Sequence, residues 1–177
     1  MLDLYLSDQI KRKKQGLPSL PLNAEQTVSL VELLKKDSVQ DSNLLLNLLE
    51  NRVPAGVDKA AFVKAAFLND VAKNNTHSPY IGDDHAIKLL GTMLGGYNVQ
   101  SLIALLSTDK AEQASKALSN ITLIFDAFYD VEKLHKNGNI YATNAYEIRL
   151  PIADQDVFFS GLEFNGQKIK DNKRLDV

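Results

Sequence analysis

The sequence predicts an all-α protein: antiparallel helix pairs over residues 1–147 and a short C-terminal tail over 148–177 that reads as a β-hairpin. Three observations carry this. From Met1 to about Glu147, apolar residues recur at three- and four-residue spacings with short breaks, the period of helices that bury one face. From Ile148 onward the pattern changes, and Asn165–Gly166 stands between apolar-rich flanks, the pattern of a two-residue hairpin turn. Hydrophobic residues make up 45% of the 177 positions and charged ones 24%, with a net charge of −2. That is enough apolar material for a core and too little net charge to hold the chain open by self-repulsion.

A first helix is expected from Leu2 to Gln15; it stops at Gly16, and Pro18 and Pro21 set an extended link. Asn23 opens the second, with Gln26 three residues on completing a capping box. Its stripe is Ala24, Val28, Val31 and Leu34, with Leu30 and Leu33 widening it. Asp41 or Ser42 caps a third, carrying Leu44, Leu45, Leu48 and Leu49. Pro54 and Gly56 make residues 52–57 a turn. A longer helix runs from Asp58 to about Asn74 with two stripes, Val63–Phe67–Val71 and Phe62–Ala65–Leu68–Ala72. A helix that is apolar on two sides is sandwiched between neighbours. After a loop to Gly82, Asp83 or Asp84 caps a helix with Ile87, Leu90, Met93 and Leu94. Gly95–Gly96 ends it, glycine supplying the left-handed residue that satisfies the last carbonyls. Val99, Leu102, Ile103 and Leu106 form the next stripe. One long helical region from about Asp109 to Lys136, with Ala114, Leu118, Ile121, Phe125 and Phe128, ends at Asn137–Gly138–Asn139.

Pair starts near Asn23, Asp58 and Asn98 recur at roughly 35–40 residues, the interval of HEAT or armadillo units. The spacing fits a HEAT-like α-solenoid or an irregular bundle of the same pairs. In the tail, Val157, Phe158, Phe159, Leu162 and Phe164 lead into the Asn-Gly turn. Two lone strands are marginal in water, so that hairpin must pack on the helices or on a partner.

Several function classes are excluded or disfavoured. Cysteine is absent, so there is no disulfide, no thiolate zinc site, no cysteine-ligated iron–sulfur cluster and no cysteine nucleophile. No apolar run approaches the roughly 20 residues that cross a bilayer. In MLDLYLSDQIKRKKQG the charges follow the apolar residues, the reverse of a secretory leader. A cytoplasmic protein with no membrane partner and no cofactor is expected. The near-neutral charge argues against a dedicated nucleic-acid binder.

The basic run Lys11, Arg12, Lys13, Lys14 is a candidate contact for RNA phosphates or an acidic partner, although cations at a helix C-terminus also complement the dipole. No aromatic interleaves it, as a single-strand stacking platform requires. Gly82 to His85 groups two carboxylates with a histidine, but adjacent helical residues fan outward rather than converge on a metal. Gly95–Gly96 lacks the flanking pattern of a phosphate loop. Asp126, Asp130 and Glu132 read as solvated charges, and no serine sits in a nucleophile elbow. Among Phe125, Phe128, Tyr129 and Tyr141, core packing suits the phenylalanines, and Tyr129 is the candidate interface aromatic. No catalytic or metal-binding residue is assigned.

The segments LNAEQTVSLVELLKK, NRVPAGVDKAAFVKAAFLNDVAK, SPYIGDDHAIKLLGTMLGGYN and FDAFYDVEKLHKNGN resemble, in order and spacing, the N-terminal domain of the bacterial aconitate hydratase B family. The resemblance covers residues 1–147. It implies a HEAT-like domain placed ahead of catalytic domains, associated with protein–protein contacts and self-association, and linked with its neighbouring domain to RNA selection. Cluster ligands and substrate-binding residues of that family belong to later domains, so the resemblance implies a non-catalytic module. After Tyr146 the sequence is expected to depart from the family, which favours a freestanding homologue.

Overall fold

The computed structural model describes residues 2–94, 96–121, 124, 126–147, 163–164 and 167–168. Among these, the order is α1 Leu2–Lys14, α2 Ala24–Leu34, α3 Ser42–Asn51, α4 Lys59–Ala72, α5 Asp83–Leu90, α6 Val99–Leu105, α7 Ala111–Ser119, α8 Ala127–Lys136 and α9 Ile140–Glu147, then β1 Glu163–Phe164 and β2 Gln167–Lys168. The strands pair antiparallel, Glu163 opposite Lys168 and Phe164 opposite Gln167. The Asn165–Gly166 turn and the apolar run ahead of β1 lie outside the described residues.

Short polar side chains start helices where the sequence places them at Asn23 and Asp58, whereas Asp41 before α3 has φ 60 and makes no side-chain cap bond. The Asn23 carboxamide accepts from the Gln26 N–H while the Gln26 side chain accepts from the Asn23 N–H. Asp58 Oδ1 accepts from the Ala60 and Ala61 N–H groups. Asn139 Oδ1 does the same for Tyr141 and Ala142, opening α9. Each bond satisfies a backbone donor that a helix N-terminus otherwise leaves orphaned.

The helices contact one another as a ladder. Within pairs, α2 packs on α3, α4 on α5, α6 on α7 and α8 on α9; between pairs, α2 meets α4, α5 meets α7, α6 meets α8 and α7 meets α9. Specific bonds fix the polarity. Gln100 near the start of α6 donates to Asp130 near the start of α8, and Phe128 of α8 stacks on Tyr146 at the end of α9. Lys110, just before α7, is ion-paired with Asp83 at the start of α5. One end of the ladder therefore gathers the starts of α6 and α8 with the end of α9. The α8–α9 turn lies at the other end, where Asn139 donates to the Leu106 carbonyl after α6.

α4 is buried on both flanks, with Ala61, Lys64, Ala65, Leu68 and Ala72 in one direction and Ala60, Phe67 and Val71 in the other, as its two stripes predict. Other expectations are corrected. Phe62 is exposed rather than core, and the buried face of α2 is Thr27, Leu30, Val31 and Leu34, with Val28 half outside. α5 stops at Leu90, with Gly91 as C-cap, four residues before the expected glycine pair. A Cβ on Gly91 would lie 2.9 Å from the Ala117 Cα, so α5 and α7 cross here too closely for any side chain. The residue before α5 is Gly82; Asp83 and Asp84 occupy the first turn, where Asp83 Oδ1 accepts from the Asp84 N–H. The expected long helix divides into α7 and α8, because i to i−3 bonds at Asn120 and Ile121 tighten and end α7. Ile121 and Ile124 stay buried across the break, so the apolar phase continues through it. Among the described residues, no helix is long and apolar enough to cross a membrane.

Candidate interaction surface

Two short connections meet at the end of the ladder where α3 passes to α4 and α5 to α6. The Leu94 N–H donates to the Ala55 carbonyl at 2.9 Å, and the Tyr97 hydroxyl donates to the Val57 carbonyl at 3.0 Å. Gly96 has φ +86, a left-handed value, and a Cβ there would meet Val57 Cγ1 at 2.9 Å, so glycine serves both the turn and the close approach. Buried Asn98 donates from Nδ2 to the Leu90 carbonyl at 2.7 Å, tying the second connection to the end of α5. On this scaffold the Tyr97 ring meets Phe62 edge-on, with centroids 5.1 Å apart. Val57 is 67% exposed, Leu94 65%, Phe62 55% and Tyr97 41%. The Phe62–Tyr97 contact in the open marks a candidate interaction surface, whereas single exposed apolar side chains are ordinary. The sequence reading assigned Phe62 and Leu94 to core stripes and missed this platform. The available signal was that the α5 stripe ran on into a glycine-rich turn.

The residues singled out from sequence are not brought together. Lys11, Lys13 and Lys14 are exposed on the last turn of α1, while Arg12 Nε donates to the Pro18 carbonyl at 2.8 Å and folds the proline link back. Tyr129 is exposed near the start of α8, its ring edge-on to Phe128 at 6.0 Å. Phe128, Tyr146 and His135 stack in sequence at 5.5 and 4.5 Å between α8 and α9. Phe125 lies outside the described residues. Tyr141 is half-buried, with its carbonyl accepting from Ser115.

The Gly82–His85 group diverges. Asp83 faces Lys110, which holds its carboxyl below the usual aspartate range and is itself raised by the pairing. Asp84 turns its N–H onto Asp83 Oδ1, and His85 Nε2 contacts Glu50 on α3 at 3.0 Å. Among the described residues no group of three potential ligands converges on a metal. Asp130 accepts from Gln100 of α6, and Glu132 pairs with Lys136 at 3.0 Å along α8 itself. An open groove of about 210 Å³ between α5 and α7, lined by Asp84, Lys88, Gln113 and Lys116, mixes both signs of charge. One ionisable group escaped the sequence reading altogether. Lys64 on α4 is buried, its Nζ 3.5 Å from the Glu50 carbonyl oxygen. Burial pushes its pKa down, and the Glu50 carboxylate partly opposes this.

The profile of the aconitate B N-terminal domain matches residues 4–148, which take in all the described helices after the first turn of α1. The chain belongs to that family. It is 49% identical over 161 residues to aconitate hydratase B of Salmonella typhimurium, a match covering 90% of this chain and 18% of that protein. It is 50% identical over 143 residues to the Escherichia coli protein of the same name, covering 80% and 16%. The Synechocystis protein is 52% identical over 149 residues, covering 82% and 16%. The chain thus spans less than a fifth of the length of these aconitate hydratases. A match over 90% of the chain cannot fit within residues 1–147, so similarity to the Salmonella protein continues beyond Tyr146, where a departure was expected. With no cysteine in the sequence, this aconitate B N-terminal domain offers no thiolate to an iron–sulfur cluster.

Proposed function

We propose that this chain is a HEAT-like, non-catalytic module of the aconitate hydratase B system that acts in the cytoplasm by binding protein, either a second copy or the catalytic remainder of an aconitate hydratase B. The observation that supports it is the ladder, in which the helices pack in pairs and α2 meets α4, α5 meets α7, α6 meets α8 and α7 meets α9. Such stacking satisfies the core pair by pair and leaves the outer faces and end turns free for docking. The test uses light scattering across a range of protein concentrations, and co-elution with E. coli aconitate hydratase B lacking its own N-terminal domain. Self-association or co-elution is the expected result; a monomer that co-elutes with nothing overturns the role. A second reading, RNA binding, draws on the exposure of Lys11, Lys13 and Lys14 at one helix end. It requires retention on RNA at low salt that falls when these lysines become alanine.

A further inference from the structure

We infer that the α1–α2 link, Leu17–Pro18–Ser19–Leu20–Pro21, is a preformed polyproline-II ligand whose partner is a protein groove lined by aromatic side chains, with carboxylates at the end nearer α1. Most of the link's backbone follows from its two prolines. Each proline locks its own φ at about −65°. Clash with the proline ring keeps the preceding Leu17 and Leu20 out of the helical region, in extended or polyproline-II backbone. A polyproline-II helix has three residues per turn, so residues 17 and 20 share one edge and residues 18 and 21 the next. The exposure follows that period. Leu17 is 47% exposed and Leu20 50%, and both prolines are exposed, whereas Ser19 is half-buried and Leu22, three residues on, is 1% exposed. One edge faces the core, and two apolar edges face outward.

The link is anchored from outside itself. Arg12 Nε donates to the Pro18 carbonyl and the Tyr5 hydroxyl to the Leu20 carbonyl, each at 2.8 Å. The Leu17 N–H donates to the Arg12 carbonyl at 2.9 Å, and the Leu22 N–H to the Arg52 carbonyl at 2.8 Å. These anchors remove the freedom that a loose proline-rich segment would lose on binding, so little ordering remains for the bound state. Leu17–Pro18 and Leu20–Pro21 are two apolar–proline units one turn apart, the form in which such segments dock into aromatic-lined grooves. Charge sets the direction. Lys11, Lys13 and Lys14 stand exposed on the last turn of α1, immediately ahead of the ridge, so the groove's carboxylates belong at that end. This inference does not rest on the ladder's faces and would stand if they bound nothing.

The test titrates the isotope-labelled full chain with a panel of SH3 domains, whose grooves have this chemistry, and follows amide chemical shifts at low and physiological salt. Saturable shifts confined to residues 11–22 are expected with at least one domain, weakening as salt rises. Pro18→Ala combined with Pro21→Ala should weaken binding about tenfold. Leu17→Ser combined with Leu20→Ser keeps both prolines and should give a comparable loss. Lys13→Ala combined with Lys14→Ala should weaken binding severalfold and flatten its salt dependence. Thermal melts verify that each variant keeps its fold, all these positions being exposed. No binding across the panel, shifts centred on another surface, or a proline or leucine double variant that binds as the wild type does would each overturn the proposal. Shifts at the lysines produced by poly(U) RNA, with none from the SH3 domains, would assign the basic end to RNA and overturn it as well. The oligomer and co-elution measurements above read a different property, so their failure and the failure of this ridge are distinguishable.

Discussion

Lys64→Met should stabilise this protein, and its effect should fade as pH rises. Lys64 is 1% exposed, and its ammonium reaches only as far as the Glu50 carbonyl oxygen at 3.5 Å, too long for a strong bond. The Glu50 carboxylate is turned to His85 at 3.0 Å, so the countercharge is shared. Burial lowers the folded-state pKa below the ordinary lysine value of 10.5. Below the folded pKa both states hold the proton, and the full cost of burying the charge is present. Between that pKa and the ordinary one, the unfolded chain keeps a proton that the folded chain has released, so stability rises with pH. One group can contribute at most about 1.4 kcal/mol per pH unit. Methionine keeps the linear stem and discards the charge, which at neutral pH should stabilise by on the order of 1 kcal/mol. Tyr5 acts with the opposite sign: burial raises its pKa, so its contribution falls with pH above the ordinary phenol range. It is present in both proteins and cancels in their difference. Urea unfolding followed by far-ultraviolet circular dichroism from pH 7 to 10 measures that difference. A methionine variant that is less stable, or an advantage that stays constant with pH, would refute the reasoning.

Gly91→Ala should destabilise by about 1–3 kcal/mol, since the new methyl would stand 2.9 Å from the Ala117 Cα and no rotamer can relieve a backbone clash; thermal melts should show it, with Ala117→Gly restoring only part. Asp58→Ala removes the acceptor for two N–H groups at the start of α4 and should cost about 1–2 kcal/mol. For a helical region of this size that corresponds to a fall of roughly 3–6 °C in Tm, and Asp58→Asn should retain most of the stability. Lys110→Met should lower stability at neutral pH, because Asp83 draws its depressed pKa chiefly from Lys110. A depressed carboxylate contributes above its unfolded pKa and loses that contribution as pH falls, so acid titration should bring wild type and variant together.

The Asn23–Gln26 capping box was legible because its partners lie three residues apart, and it forms as read; Asp41 makes no side-chain cap bond to α3, and α5 ends at Gly91 rather than at the later glycine pair. The α4 sandwich was legible for a related reason: its two stripes record two neighbours. What escaped depends on distant residues. The apolar phase of α7 continues past its end, because Ile121 and Ile124 are buried in the same core from the connection to α8. Periodicity counts buried positions and does not register where the backbone turns. Gly91 reads as an unremarkable mid-helix glycine until Ala117 of α7 is placed against it. Lys64 sits within an alanine-rich helix as a solvent residue would, and only the approach of α3 removes its water. The platform was invisible for the converse reason: Phe62 and Leu94 have the spacing of core residues but lie where no further helix arrives.

That last contrast turns on parity. Each antiparallel pair returns the chain to the end from which it started, so the turns from α3 to α4, α5 to α6 and α7 to α8 share one end, and the chain leaves α9 there too. The bonds Tyr97–Val57, Gln100–Asp130 and the Phe128–Tyr146 stack trace this end from one pair to the next. At the opposite end Asn139 reaches back to Leu106, and Ser115 donates to the Tyr141 carbonyl. Val57, Phe62, Leu94 and Tyr97 stand exposed at the exit end, while Ile140, 68% exposed, stands at the opposite one. An odd number of helices after α1 would have brought the last helix to an end at the opposite side of the ladder instead.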